Sequence, residues 1–180
     1  MNEVPIEIRP ERPDDEAAIR EVTALAFEFS DFGHNGEAEL VDKLRADGAA
    51  SISLVAECAG RIVGHILFSP AKIEWSNCCC EGLGLAPMSV LPEFQRQGIG
   101  SRLIKDGTDA ATESASSFVI VLGHPDYYSK FGFAPASASN VGCEFEGIPK
   151  EAFMIRWLVK PVPPTECGLA KYHPIFATLG

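Results

Sequence analysis

Apolar and polar positions along the chain change period several times, and each change marks an element. Ile6-Glu7-Ile8-Arg9 alternates with a period of two, which predicts a short strand ended by Pro10. Pro13-Asp14-Asp15-Glu16 then sets a proline and acids where a helix begins, complementing its dipole. Ile19, Val22, Ala26 and Phe29 recur at helical spacing behind them. Asp31 to Gly36 interrupts the pattern, and a second amphipathic helix carries Leu40, Val41 and Leu44 until Gly48 stops it. Ser53 to Cys58 and Arg61 to Phe68 read as two strands of a hairpin turning at Ala59-Gly60, with Ile73 to Trp75 extending the second.

Gly82 to Val90 is apolar and glycine-rich, a strand containing Pro87. Proline donates nothing to a ladder, so Pro87 marks a bulge or a parting of neighbouring strands. A long helix is predicted from Gly98 to about Ser114, with Ile99, Leu103, Ile104, Ala110 and Ala111 on one face. Phe118 to Leu122 has the composition of a fully buried strand. Tyr127 to Phe131 reads as a short helix and Ala152 to Leu158 as the last strand. Pro161-Val162-Pro163-Pro164 is extended, and Lys171 to Phe176 packs back on the body. There is no internal repeat and no sign of a domain boundary. The order predicts one α/β domain over residues 1–180, with a core at about 6–157 and a C-terminal tail at 158–180.

Composition narrows the function. The chain of 180 residues carries 15 Lys+Arg against 25 Asp+Glu, a net charge of -10. Phosphate backbones would be repelled by most of such a surface, so nucleic acid is not an expected partner. No apolar run reaches the length of a membrane span, and the N-terminus lacks the basic start and apolar core of a secretory signal. Cys78-Cys79-Cys80 are consecutive, Cys58, Cys143 and Cys167 are isolated, and no C-x-x-C pair exists. That usage suits reduced thiols in a cytoplasm and gives no metal site.

One segment carries chemistry: Val90-Leu91-Pro92-Glu93-Phe94-Gln95-Arg96-Gln97-Gly98-Ile99-Gly100-Ser101. A strand ends, a turn with two spaced glycines follows, and a helix begins, aiming unpaired N–H groups at an incoming anion. Arg96, Arg102 and Lys105 against Glu93 make a local +2 from Pro92 to Lys105. The ligand this predicts bears phosphate. A Walker A loop fails, because Ser101 and Arg102 stand where Lys and Ser/Thr are needed. A dinucleotide fingerprint lacks its third glycine, at Leu103, and its ribose acid, near Gly123-His124.

Gln95-Arg96-Gln97-Gly98-Ile99-Gly100 resembles the Gln-x-x-Gly-x-Gly pyrophosphate turn of the GNAT superfamily of acetyl-CoA-dependent N-acetyltransferases, in its bacterial form. Met88-Ser89-Val90-Leu91-Pro92 upstream resembles the end of that family's central strand. Downstream, Tyr128-Ser129-Lys130-Phe131-Gly132-Phe133 resembles its Tyr-x-x-x-Gly-Phe motif. The two motifs flank a helix and a buried strand in the family's order, and the likeness covers roughly Ile6 to Trp157.

The resemblance implies a mixed central sheet with helices on both faces and two central parallel strands, ending at Val90 and Leu122, that splay. It further implies that the backbone of Met88, Ser89 and Val90 pairs with the pantetheine arm of acetyl-CoA. Backbone N–H groups of Gln95, Arg96, Gln97, Gly98, Ile99, Gly100 and Ser101 would hold the pyrophosphate. Tyr128 would protonate the departing thiolate while a primary amine, on a small molecule or a peptide, attacks the acetyl carbonyl directly. Family members often carry a glutamate six residues before the position of Val90, where this chain has Gly84. Glu81, His65, His124 or an ordered water are the alternatives for the base. His34 and Asn35 border the family's acceptor site, and the last strand and tail offer material for a homodimer. The rival reading is a catalytically silent acyl-CoA-binding or sensing domain.

Overall fold

The computed structural model describes residues 5–28, 36–160 and 166–178. Phe29, His34, Asn35 and the Pro161-Val162-Pro163-Pro164 stretch lie outside them. The chain begins with strand β1 (Ile6–Pro10), a 3-10 turn at Pro13–Asp15, and helices α1 (Glu16–Phe27) and α2 (Glu37–Ala46). Strands β2 (Ile52–Cys58), β3 (Arg61–Glu74) and β4 (Cys79–Val90) follow, then α3 (Ile99–Glu113) and β5 (Phe118–Leu122). The remainder comprises α4 (Pro125–Tyr128), β6 (Ala134–Pro135), β7 (Val141–Cys143), β8 (Phe153–Trp157) and β9 (Gly168–Lys171). Strand pairing runs β1-β2-β3-β4-β5-β8-β6, with β9 on β3 and β7 on β9. The β4–β5 and β7–β9 pairs are parallel, while β1–β2, β2–β3, β3–β9, β5–β8 and β6–β8 are antiparallel. The sheet is therefore mixed and the fold α/β.

The chain divides into two compact units. The first draws on Met1–Phe68, Pro87–Gly107 and Pro174–Gly180, the second on Ser69–Ala86 and Thr108–His173. Strands β3 and β4 and helix α3 each run from one unit into the other along the chain. Within the first unit, Ile19 and Val22 of α1, Leu40, Val41 and Leu44 of α2, and Ile99, Leu103 and Ile104 of α3 are all buried, as their spacing predicts. Gly64 admits α3 closely: a Cβ there would stand 3.2 Å from Leu103 Cδ1 and 3.3 Å from Ile99 Cγ2. In the second unit Phe118, Val119, Ile120 and Val121 are buried, whereas Leu122 at the strand's end is 37% exposed.

Ala152 to Leu158 is not the last strand. The chain returns as β9, whose Leu169, Ala170 and Lys171 pair with Glu74, Ile73 and Lys72 on the far half of β3. A four-residue strand with a glycine and a lysine has too little alternation to be read against its proline-rich approach. Strands β6 and β7, at two and three residues, were invisible for the same reason.

A polar cluster in the first unit was not foreseen. Glu11 accepts from Arg45 Nε at 2.7 Å and from the Ser53 hydroxyl, and His65 Nε2 lies 2.9 Å from Ser53 Oγ. Because Ser53 gives its proton to Glu11, His65 donates through Nε2 and is neutral. Burial pushes the His65 pKa down, against the pull of Glu11. Burial pushes the Glu11 carboxyl up, but nearby His65 and the hydrogen bonds from Arg45 and Ser53 outweigh it and hold the carboxyl at about 2.

Both shifts make acid destabilising. An unfolded His65 takes up a proton below its ordinary value of about 6.5, and an unfolded Glu11 below about 4.5, before their folded counterparts do. The midpoint of thermal unfolding is expected to fall as pH drops through about 6.5, and further between about 4.5 and 2. Glu11→Gln should lower the midpoint at pH ~7 and close most of the gap to wild type by pH ~3, as read by circular dichroism melts. A gap of constant size across that range would rule the cluster out as the cause.

Candidate functional site

Strand β4 runs without a break into a 3-10 turn at Pro92–Phe94, and α3 begins five residues later at Ile99. Two side chains brace the connection. Gln95 Nε2 donates to the Val90 carbonyl at 3.1 Å, and Gln97 Nε2 to the Glu93 carbonyl at 3.0 Å. These bonds tie the outgoing loop back to the strand end, and the Gln95 N–H, expected above to hold the pyrophosphate, instead donates to the Pro92 carbonyl at 3.3 Å, closing the 3-10 turn. Arg96 (φ 61°) and Gly98 (φ 82°) both take the left-handed conformation, which costs Arg96 about 1–2 kcal/mol and glycine nothing. The space beside Gly98 is open. A Cβ on Gly98 would meet nothing within 4 Å.

The first turn of α3 closes when the Arg102 N–H donates to the Gly98 carbonyl at 3.1 Å. The N–H groups of Ile99, Gly100 and Ser101 precede that bond and have no carbonyl of their own helix to meet. No acid sits in that first turn, so nothing cancels its partial positive charge. Gln95, Arg96, Gln97 and Gly98 are exposed, Gly100 and Ser101 half-buried, and Ile99 is buried as the anchor of the helix. An anion approaching this turn meets backbone donors before it meets side chains.

On β4, Met88 and Val90 are half-buried while Ser89 between them is buried. The Ser89 hydroxyl lies 3.3 Å from that of Thr23, itself fully buried on α1. Ser89 thus turns its side chain inward, and its neighbours face the other side of the strand. All of the residues assigned above to the coenzyme fall within the first unit and within one continuous stretch of chain.

Tyr128 belongs to the second unit. The N–H groups of Tyr127 and Tyr128 both donate to the His124 carbonyl, at 3.0 and 3.1 Å, which winds the chain into α4 directly after β5. Edge-on contacts hold the ring: Tyr127 at 5.3 Å and Phe133 at 5.6 Å between centroids. Gly123 makes room for it, since a Cβ there would lie 2.2 Å from Tyr128 Cε2. Burial pushes the phenol well above its ordinary pKa, with Tyr127 adding to the shift. Tyr128 is therefore a buried, protonated phenol at neutral pH, its ring held by packing.

The β4–β5 ladder is short. Its registered pairs are Leu83 with Val119, Gly84 with Ile120 and Leu85 with Val121, and they end two residues before Pro87. Strand β4 nevertheless continues to Val90. That is the behaviour expected of a strand whose proline withholds a ladder donor.

Residues 49–135 match the family model described as an acetyltransferase (GNAT) domain. Over 170 residues the chain is 32% identical to the uncharacterized N-acetyltransferase YhbS of Escherichia coli K12, covering 94% of this chain and 97% of that one. This chain belongs to the GNAT family of acetyltransferases. The fold of this acetyltransferase is similar to the crystal structure of Escherichia coli YhbS in complex with CoA, at a TM-score of 0.86 and 31% identity over 98% of this chain and 94% of that one. It is also similar to a GNAT family acetyltransferase from Brucella melitensis in complex with acetyl-CoA, at a TM-score of 0.78 and 35% identity over 96% of this chain and 98% of that one.

The candidates for a base separate clearly in this acetyltransferase. His65 is fully buried, neutral and engaged with Ser53. Glu81 is exposed on the first half of β4, and His124 is exposed ahead of α4. Gly84 is bare because the ring of Tyr172 occupies its side-chain space, with Cδ1 only 2.5 Å from where a Cβ would stand. A carboxylate at that position has no room. Among the described residues no group of three His, Cys, Asp or Glu is placed to hold a metal ion, and no helix is long and apolar enough to cross a membrane.

Proposed function

We propose that residues 1–180 act as one acetyltransferase domain, which moves the acetyl group of acetyl-CoA to a primary amine. The observation that carries this reading is the turn at Gln95 to Ser101: the N–H groups of Ile99, Gly100 and Ser101 open a helix with no acid in its first turn, beside open space at Gly98. Those donors suit a pyrophosphate, and the local excess of Arg96, Arg102 and Lys105 over Glu93 holds it within a protein of net charge -10. The CoA complexes of the two structural relatives support the same choice of ligand. Met88, Ser89 and Val90 lie on the part of β4 that has outrun its pairing with β5, so the strand edge turned away from β3 can meet the amide groups of a pantetheine arm, the Val90 carbonyl being already taken by Gln95.

The chemistry follows from the groups available. The neutral amine attacks the acetyl carbonyl, forming the C–N bond, and a backbone N–H near Met88 or Ser89 steadies the oxyanion. As the C–S bond breaks, Tyr128 gives its proton to the thiolate, and the proton shed by the amine passes through water to restore the phenol. Tyr128 suits that role because burial keeps it protonated. Gly84 leaves β4 without a carboxylate at that level, so an ordered water is the first acceptor of the amine's proton.

Calorimetric titration with acetyl-CoA, with NAD⁺ as comparison ligand, tests the reading. Binding at micromolar concentration to acetyl-CoA alone is expected. Failure to bind it would reduce the turn to a plain connection, and binding without turnover over a panel of amines would favour a silent acyl-CoA sensor.

A further inference from the structure

Two buried hydroxyls join helix α1 to the end of β4. Thr23 and Ser89 stand 66 residues apart in sequence and bring their oxygens to 3.3 Å, with either able to donate. The other buried residues of α1, Ile19 and Val22, are apolar. A valine would fill the space of Thr23 as well and has no hydroxyl to desolvate, and a buried hydroxyl is costly unless a partner meets it. When both members of such a pair give way to apolar groups of similar shape, stability changes little. Packing therefore gives no reason for this pair. What a hydrogen bond adds to packing is direction.

Three contacts along the strand show what that direction sets. The Leu91 N–H donates to the Val63 carbonyl of β3 at 2.9 Å. The Ser89 carbonyl oxygen also faces β3, 3.2 Å from where a Cβ on Gly64 would stand. The Val90 carbonyl instead accepts from Gln95 Nε2, at 3.1 Å. Main-chain groups of successive strand residues alternate between the two edges. Ser89 and Leu91 thus address β3, while Val90 and Met88 turn their N–H groups to the opposite edge, where registered pairing with β5 stops at Leu85. The peptide unit joining Ser89 to Val90 carries one carbonyl toward β3 and one N–H toward the open edge. The Ser89 side chain rises off the face of the strand to Thr23, so α1 fixes that unit from a direction neither β3 nor Gln95 supplies.

We propose that Thr23 is a positioning residue for acyl transfer: its hydrogen bond to Ser89 holds this part of β4 so that an outward N–H, at Val90 or Met88, meets the acetyl oxygen as it becomes an oxyanion. This rests on the reading of Met88 to Val90 as the strand that receives the coenzyme. The turn at Gln95 to Ser101 holds the pyrophosphate in the ground state and makes no contact through this hydroxyl pair. The effect of the pair therefore falls on the transition state, where a small misplacement of a donor is costly.

Hydrolysis of acetyl-CoA provides the assay, with water as acceptor and loss of thioester absorbance as the signal, because it passes through the same oxyanion. Thr23→Val should lower kcat by about 10-fold and leave the KM for acetyl-CoA within about 2-fold, and Ser89→Ala should match it. Thr23→Ser, which keeps a hydroxyl, should restore most of kcat. The double variant Thr23→Val with Ser89→Ala leaves neither hydroxyl of the pair buried alone, so its melting midpoint should stay close to that of wild type. Its kcat should nevertheless remain down by about the same 10-fold, since both changes remove one hydrogen bond. Wild-type kcat in the double variant overturns the proposal, as does a loss there equal to the product of the two single losses. A wild-type protein that binds no acetyl-CoA in calorimetry, or binds it and turns it over with neither water nor any amine, removes the reading of the strand and the positioning role with it.

Discussion

Glutamate in place of Gly98 should weaken coenzyme A binding by ~100-fold or more, because at least two charge-assisted hydrogen bonds of ~1.5–3 kcal/mol each are lost. Two separate effects act in the same direction. Gly98 has φ 82°, a conformation that costs an L-residue roughly 1–2 kcal/mol, so the new side chain pulls the turn away from its shape. The space beside it is open, so a side chain there meets no neighbour and the carboxylate is free to reach the nearby N–H groups. It then competes with the pyrophosphate for the N–H groups of Ile99, Gly100 and Ser101 and repels it. Gly98→Ala separates the two effects, since it brings the strain without the charge. It should bind coenzyme A less tightly than wild type and more tightly than Gly98→Glu. Calorimetry decides the matter: a Gly98→Glu protein that binds coenzyme A as wild type does would remove the turn from the site.

Tyr128→Phe is the second large effect. Removing a general acid lowers turnover by about 10²–10⁴-fold, and the loss should appear in kcat with coenzyme affinity little changed. The substitution deletes one oxygen from a ring that Tyr127, Phe133 and the bare face of Gly123 already hold, so the fold has no reason to change. Turnover is followed as thioester loss over an amine panel that includes spermidine, lysine and a short peptide with a free N-terminus. Because burial raises the phenol's pKa, its protonated form persists through neutral pH, and the rate should not fall on its account until well into the alkaline range. Undiminished turnover with any amine that wild type acetylates would take the acid role away from Tyr128.

The parts of this molecule that the sequence made legible are those whose cause lies within a few residues. The turn at Gln95 to Ser101 shows itself because its glycines, its preceding strand and its following helix are contiguous. Tyr128 stands out through the Gly132-Phe133 pair close behind it. The helical faces of α1, α2 and α3 are visible as periodicity, and the antiparallel hairpin as two apolar runs about Ala59-Gly60.

What stayed hidden depends on residues far apart in sequence. Glu11, Arg45, Ser53 and His65 come from four segments, and none of them has a local pattern that announces the others. His65, named from sequence as one alternative for the base, is fully buried against Ser53, and that partner is the new information. Gly84 looked like an absence, a strand position without its carboxylate. The reason lies 88 residues later, in a tyrosine on a segment read from sequence as simple packing.

The fit between Gly84 and Tyr172 also constrains how this lineage can change. Neither position can be exchanged freely by itself: a side chain on the strand collides with the ring, and a small residue in place of the ring leaves a cavity beside the glycine. The two sites should therefore vary in concert among homologues. Chains that carry a strand carboxylate should lack the tyrosine, and chains that keep the tyrosine should keep glycine. Two routes for handling the amine's proton, one through a fixed carboxylate and one through water, would then be alternatives separated by a double substitution whose single intermediates are both impaired.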